Sequence, residues 1–586
     1  MRRIKPVQQS SQRKRTLLFG VVFFLLFSGI GAKSVYLQVL CSDWLARKAA
    51  DQHERSFPYS GKRGTIYDRN QKEMAVSIET KSVAVNPVNI KDPKQVAVQL
   101  SRVLGMDYRE VFENLSSRKA FVWIKRQISP KEEKELKDLA LDGVIFQTGN
   151  SRFYPFKAVG GQLLGFTGVD GTGLEGIEYS YDSYLKGKVV NLTVMKDALG
   201  RRFEVDKEEV DKELSGNNLI LTLDSNIQYI AEKALEEGVV THAGKSGMVL
   251  VMDPKTGAIL AMAHYPFFNP NLYKKYDNNK MVRRNRAITD PFEPGSIIKV
   301  FSAAAALDSN LCKASTTFFC ENGEYRVGRN VIHDAGSHSF GYLTLEEIIK
   351  YSSNIGAVKI KDAIGNQKLY EELTDFGFGK KTNVDLVGEA PGLLAHYKKW
   401  TPIDAGTISF GQGVSVSALQ LVSGISTIAN NGVLMRPHVV NEIYDAKDQK
   451  LKTISAQPVR RVISENTVLA LKDILKTVMT DEGTGTGGAV EGYTVCGKTG
   501  TAQKIGETGT YEPGKYVSSF IGFLPAENPA LTILVIVDEP EKQYYGGAVA
   551  APIFKKIAYE TLYYLNIPPI REPGKYRVAK DGEVRG

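Results

Sequence analysis

A serine followed three positions later by a lysine places a hydroxyl nucleophile and a candidate base on one face of a helical turn. The pattern occurs at Ser11, Ser116, Ser183 and Ser296, so context has to choose. Ser11 lies in a basic N-terminal segment and Ser116 in the polar run NLSSRKA, whereas Ser296 follows Pro294 and Gly295 and opens the apolar run SIIKVFSAAAAL. An ammonium at Lys299, held among Ile, Val and Ala side chains, is poorly hydrated, and desolvation lowers a lysine pKa by up to several units. The neutral amine can then take the proton of Ser296.

Two further short patterns carry chemistry of the same kind. Ser-x-Asn recurs at Ser215, Ser352 and Ser464. Ser464 reads as the cap of the helix NTVLALKDILKTVM, while Ser352 and Asn354 fall between LTLEEIIKY and IGAVKIKDAIG, where a turn can aim both side chains into a cleft. Lys-Thr-Gly occurs at Lys255 and again within CGKTGTAQ, Cys496 to Gln503. The first copy is a hairpin turn; the second follows GYTV and reads as a strand able to offer backbone N–H groups and hydroxyls to a carboxylate or an oxyanion. Gly492 to Thr499 also satisfies a phosphate-loop pattern. That motif needs a helix directly after it, and the glycine-rich GTAQKIGETGTYEPGKY starts none, so nucleotide binding is set aside.

The surrounding elements decide whether these residues can meet. NLILTLD, from Asn218, reads as a strand, and SNIQYIAEKALEEGVV as an amphipathic helix capped by Asp224 or Ser225. GMVLVMDPKTGAILAMA is a hairpin, and YVSSFIGFLP and ALTILVIVDEP are two more strands joined through AENP. Helices such as IIKVFSAAAAL and LEEIIKY lie between them, which predicts a mixed α/β fold with a sheet flanked by helices. From Asp43 to Gly216 short β-like runs alternate with polar helices such as PKEEKELKDLA, and no catalytic cluster is evident. The stretch from Pro568 reads as a short, charged, disordered tail.

With 586 residues, 42% of them hydrophobic, the chain is too long for one ordinary domain and too apolar to be disordered. Its net charge of +10 carries +6 in the first fifteen residues, which hold six cations and no acid. The remainder is too nearly neutral for a nucleic-acid protein. Leu17 to Ala32 is free of charge and the apolar run continues past Lys33 to Leu40. As a helix these residues extend ~36 Å at ~1.5 Å per residue, enough for a hydrocarbon core of ~30 Å, with Lys33 snorkelling outward. Six upstream cations predict a single-pass anchor with residues 1–15 in the cytoplasm, 16–40 in the membrane and the rest outside. A cleaved signal peptide is the competing reading.

Four cysteines form no disulfide framework or zinc spacing; Cys312 and Cys320 can pair in an oxidising space or stay as buried thiols. His333 and His338, in IHDAGSH, are not at helical spacing and lack further ligands, so no metal or cofactor is expected. Tyr544 and Tyr545 read as cleft wall or surface.

In order, Ser296 to Lys299, Ser352 to Asn354 and Lys498 to Gly500 form the motif set of penicillin-binding proteins and class A β-lactamases. RGTIYDRN (Arg63 to Asn70), GLEGIE (Gly173 to Glu178), NRAITDPFEPGSIIK and FGQG (Phe410 to Gly413) resemble class B penicillin-binding proteins in particular, over roughly residues 35 to 560. The resemblance implies a pedestal of the dimerisation type (41–217) and a transpeptidase domain (218–567) that cross-links peptidoglycan stem peptides ending in D-Ala-D-Ala. It implies Ser296 as nucleophile, Lys299 as base, Ser352 as proton relay and Asn354 as holder of the substrate amide. Lys498 is to polarise Ser352 and attract the terminal carboxylate, which Thr499, Gly500 and Thr501 bind. The backbone N–H groups of Ser296 and Thr501 are to form the oxyanion hole, and β-lactams to trap Ser296. No glycosyltransferase segment is recognised, so polymerisation is expected from a SEDS-family partner alongside other division proteins. EPGS and YYGGAVAAPIF look more like the septal, division-specific enzyme than the elongation-specific one. A non-enzymatic β-lactam sensor and a divisome scaffold are the rival readings. Departures from the pattern are Ile297 and Ile298, where a small or polar residue is expected at one of the two positions, and Cys496, where a small residue such as alanine is common.

Overall fold

The computed structural model describes residues 9–45, 54–195, 207–506 and 510–569. The expected C-terminal tail from residue 570 and the first eight residues of the basic segment lie outside them. The described chain forms two compact units, one of residues 1–61 and 187–215 and the other of 62–186 and 216–586.

In the first unit, helix α1 (Gln9–Val35) runs on through a π-helical turn, Tyr36–Leu40. Arg13–Leu40 is long and apolar enough to span a membrane, and its side chains are exposed almost throughout, as expected of a helix whose packing partner is lipid. Glu54–Ser60 pairs antiparallel with Val189–Met195 in this unit.

In the second unit, residues from both sides of the expected domain boundary share one sheet. Its strands run in the order Lys450–Thr453, Val440–Tyr444, Asn218–Leu221, Ile66–Tyr67, Glu73–Val85 and Val122–Ile128, with Val144–Phe153 also on Glu73–Val85. Ile66–Tyr67 against Asn218–Leu221 is parallel, the other pairings antiparallel. Asp68, fully buried, accepts hydrogen bonds from the N–H and hydroxyl of Ser225 at 3.1 and 2.6 Å.

The quoted RGTIYDRN and GLEGIE segments meet in a buried ionic cluster. Glu178 accepts from Arg63 Nε through one oxygen and from Arg152 Nε through the other, each at 2.6 Å. Arg63 also reaches Asp182 at 2.5 Å and the Glu178 carbonyl at 2.6 Å.

The catalytic-motif residues sit around a second sheet, antiparallel and five-stranded: β1 (Ser246–Met252), β2 (Ile259–Tyr265), β3 (Cys496–Ile505), β4 (Tyr511–Leu524) and β5 (Leu531–Asp538), in the order β3-β4-β5-β1-β2. The helices around it are α2 (Ser225–Thr241), α3 (Lys299–Asp308), α4 (Leu345–Tyr351), α5 (Asn354–Asp375), α6 (Ala418–Ala429) and α7 (Gly546–Tyr564). Strand side chains alternate between faces. Val249 and Val251 of β1 pack with α2 and α7, while Met248, Leu250 and Met252 join the core that contains α3 and α6. Both faces are covered, which is why β1 and β5 read as unbroken apolar runs rather than alternating ones. The hairpin turn of β1 and β2 holds Lys255, Thr256 and Gly257, as the sequence suggests, with Asp253 accepting from the Lys255 N–H and the Thr256 hydroxyl. Asp224 caps α2 and Ser464 caps the helix Glu465–Thr477.

Glu232 of α2 is buried and accepts from the Gly160 N–H and from Gln228 Nε2, each at 2.8 Å. Both donors are neutral, and burial pushes its carboxyl from the ordinary 4.5 up to about 7. The folded value lies above the unfolded one, so the native state holds an extra proton between the two. This contribution to stability is complete below about pH 4.5 and is lost as pH rises through about 7. Glu232→Gln is therefore expected to gain melting temperature relative to the parent progressively across that window. A difference that stays constant with pH would contradict the assignment.

Candidate active site

Ser296 sits on a 3-10 turn, Gly295–Ile298, that leads into α3. The tighter turn still carries Ser296 and Lys299 on one side, because side chains three apart nearly eclipse in a 3-10 helix. α3 contains the run of small residues Ala303 to Ala306 and is buried from Lys299 to Leu307. Lys299 is fully buried in it.

The second motif owes its geometry to a tight link between α4 and α5. Ser352 ends α4 in the left-handed region, φ 62°, and Ser353 at once caps α5 by accepting from the Gly356 N–H. A non-glycine residue in this conformation stores of order 1–3 kcal/mol and persists only where its surroundings fix it. The turn sets three acceptors around Lys299 Nζ, the Ser352 carbonyl at 2.6 Å, Asn354 Oδ1 at 2.8 Å and Ser352 Oγ at 3.3 Å; the ammonium donates to all three, whereas the neutral amine serves two of them and keeps its lone pair.

The third motif lies on β3, the edge strand of the sheet, so one row of its backbone groups lacks a ladder partner. Lys498 is buried and donates to Ser352 Oγ at 3.0 Å and to the carbonyl and hydroxyl of Thr499 at 3.3 and 3.4 Å. Thr499 in turn donates to Thr484 Oγ1 at 3.0 Å, and Thr501 Oγ1 accepts the Gly546 N–H at 3.1 Å. The turn carrying Ser296 packs on this strand. A Cβ added to Gly295 would lie 2.9 Å from the Thr501 carbonyl oxygen, and one on Gly500 would meet Ile297 at 3.1 Å. Ser519 Oγ lies nearer still to that position, at 2.3 Å, so Ser519 and Ile297 together occupy the space beside Gly500. Cys496 is equally structural: its thiol is buried against the Lys472 carbonyl and pushed up to about 12 by burial.

Two close backbone approaches shape the walls. A Cβ on Gly411, of the FGQG segment, would lie 2.0 Å from the Gly295 carbonyl oxygen, and one on Gly546 would lie 2.4 Å from that of Gly500. Beyond Thr501 is a cavity of about 290 Å³ whose walls include Phe292, Glu293, Ala502 and Gln503. Glu293 accepts the Gly413 N–H at 2.7 Å and the Tyr511 hydroxyl at 3.0 Å.

The electrostatics favour a neutral amine. Burial, together with the charge of Lys498, holds Lys299 well below the ordinary lysine range, and Asp334 acts in the opposite direction. Burial brings Lys498 down to about 7. Two buried ammonium groups joined through one hydroxyl repel each other, so a proton is readily surrendered from the pair. Ser296 enters none of these hydrogen bonds and is only partly buried, a hydroxyl open to an incoming carbonyl.

All three sequence-predicted motifs therefore converge, and the decoys do not. Ser116 and Ser464 sit at helix ends and Ser183 in a short helix, Asp182–Leu185. Thr499 of the phosphate-loop pattern lies within a strand that is followed by another strand. Cys312 and Cys320 are buried free thiols.

Residues 247–559 match the penicillin binding protein transpeptidase domain, and residues 58–221 the penicillin-binding protein dimerisation domain. The chain belongs to the penicillin-binding protein transpeptidase family. It is 35% identical to stage V sporulation protein D of Bacillus subtilis, over 96% of this chain and 88% of that one. It is 33% identical to the peptidoglycan D,D-transpeptidase FtsI of Escherichia coli, over 94% and 92%. Among solved structures it resembles penicillin binding protein 3 of Mycobacterium tuberculosis complexed with aztreonam, with a TM-score of 0.68 at 25% identity, covering 88% of this chain and 98% of that one. This penicillin-binding transpeptidase thus carries a dimerisation domain followed by a transpeptidase domain, with one apolar helix ahead of both.

Proposed function

We propose that this transpeptidase cross-links peptidoglycan through an acyl-enzyme on Ser296 and that β-lactams acylate the same hydroxyl. The observation that carries the reading is the single hydrogen-bonded cluster that joins Lys299, Ser352, Asn354 and Lys498 beside an unengaged Ser296. Ser296 Oγ attacks the penultimate D-Ala carbonyl while neutral Lys299 takes its proton. The oxyanion is held by the N–H groups of Ser296 and Thr501. The C–N bond then breaks, and Ser352, fed by Lys498, passes a proton to the departing D-Ala amine. An acceptor amine from a second stem peptide attacks the ester, gives up its proton along the same path, and restores the Ser296 hydroxyl. Asn354 holds the substrate amide, while Lys498, Thr499, Gly500 and Thr501 bind the terminal carboxylate.

The six N-terminal cations support an anchor with its N-terminus in the cytoplasm and the catalytic domain outside. Likeness to the peptidoglycan D,D-transpeptidase FtsI supports a septal role, and a SEDS-family glycosyltransferase as polymerising partner belongs to the same proposal. Likeness to a protein named for stage V of sporulation supports a second reading, cross-linking in the spore wall. Depletion followed by microscopy separates them, filaments meaning septation and failed spores meaning sporulation.

The chemistry is tested by mass spectrometry of the intact protein after incubation with benzylpenicillin. A stoichiometric adduct on the peptide containing Ser296 is expected. A folded protein that takes no adduct would leave the cluster without its assigned reaction.

A further inference from the structure

Asp334 lies directly behind the turn that presents Ser352 and Asn354, outside the three motifs. It is buried, 6% exposed. Its carboxylate accepts the Ser353 hydroxyl at 2.9 and 3.0 Å, the Asn354 N–H at 2.6 Å and the Ile355 N–H at 3.1 Å. These N–H groups open the 22-residue α5, where no intrahelical acceptor exists and a negative charge is favoured. The neighbouring residue completes the clasp: the His333 carbonyl accepts Asn354 Nδ2 at 2.9 Å. With its amide nitrogen held from behind, Asn354 turns its oxygen to Lys299. The same hold stabilises the left-handed Ser352, whose carbonyl and hydroxyl are the other two acceptors of Lys299.

We propose that Asp334 is a positioning residue of the acyl-transfer site, locking the Ser352–Asn354 turn and setting a compensating negative charge behind the buried Lys299 and Lys498. The inference rests on Ser296 being the nucleophile and Lys299 its base. Of the influences on Lys299, burial and Lys498 drive its proton off, whereas Asp334 retains it. The other titratable groups nearby are the Cys320 thiol, beside Ser353 and Asp334, and the Lys359–Glu321 ion pair at 2.7 Å. Removing the Asp334 charge therefore lets Lys299 lose its proton at lower pH.

The test is the rate of penicillin acylation against pH, measured on the full-length protein in detergent. Asp334→Asn is expected to slow acylation roughly 10- to 100-fold by loosening the turn, and to move the acidic limb of the profile to lower pH. Asp334→Glu and Ser353→Ala keep the charge while disturbing the hydrogen bonds, so they are expected to slow acylation with the limb in its original place. An Asp334→Asn protein with the parent rate, or with a slowed rate and an unmoved limb, would overturn the proposal. Should that variant not fold, parent rates in both other variants would overturn it equally. A parent protein that fails to acylate at Ser296 would instead remove the underlying reading of the nucleophile.

Discussion

Ser296→Ala abolishes covalent labelling of this protein by a fluorescent penicillin, by an expected factor on the order of 10⁴ to 10⁶, while leaving its melting temperature near that of the parent. The magnitude is that of removing the nucleophile from a site whose members act as one unit. Structural cost is small because the hydroxyl makes no hydrogen bond that the fold depends on, unlike Ser353, which anchors Asp334. The alternative nucleophile is Ser352, and its surroundings argue against it. Ser352 Oγ accepts from both Lys299 and Lys498, which suits a relay between two amines better than attack on a carbonyl. Persistent labelling of Ser296→Ala at a substantial fraction of the parent rate would transfer the nucleophile to Ser352. Gel fluorescence of membranes, with the protein quantified by antibody, reads the outcome directly.

The second large effect concerns folding. Glu178→Ala is expected to destabilise the second unit by about 3–5 kcal/mol, the usual cost of breaking a buried ion pair from one side. The Glu178 side chain is fully buried, and those of Arg63 and Arg152 are 5% and 3% exposed. Asp182 still compensates Arg63 in the variant, at 2.5 Å, but Arg152 keeps only neutral partners, among them the Gly64 carbonyl at 2.7 Å. A loss of this size is a large part of the ~5–15 kcal/mol by which domains are stable. Replacing Arg152 and Glu178 together with apolar side chains of similar volume is expected to recover most of it, since it removes the stranded charge and leaves Arg63 paired with Asp182. Urea denaturation followed by tryptophan fluorescence measures both variants. A loss below about 1 kcal/mol for Glu178→Ala, the range of exposed pairs, would show that water reaches the cluster.

These two sites are not equally legible in the sequence. The three proposed acyl-transfer motifs can be picked out because decoys fail on context: the proposed nucleophile opens an apolar helix, and the proposed substrate strand does not precede one. Hydrophobic periodicity likewise locates β1, β2, β4 and β5, whose apolar runs reflect cover on both faces. Asp334 escapes because its role is to accept backbone N–H groups of a helix about twenty residues further along the chain, and no spacing rule encodes that contact. In the same segment His333 and His338 are the more conspicuous residues by type. Glu178 stands out only as part of a family-like string, since Arg63 is 115 positions away and ion pairs at that separation leave no local signature. Nor does the sequence reveal that residues 66–85 and 218–221 share a sheet with 440–453; pairing between distant strands is fixed by the whole fold.

The backbone contacts at Gly411 and Gly546 restrict how this enzyme can evolve. A lineage exposed to a mimic of its substrate gains by excluding the mimic while still admitting the peptide. At these two positions any side chain displaces a carbonyl of the segment that carries Ser296 or of the strand that carries Thr501, so substrate and mimic are lost together. Selectable variation is thereby channelled to side chains outside these backbone contacts, such as the exposed Tyr545, next to Gly546, and the half-buried Gln503, two residues past Thr501. Resistance in such a lineage is then a matter of rim chemistry, with the floor of the cleft held constant.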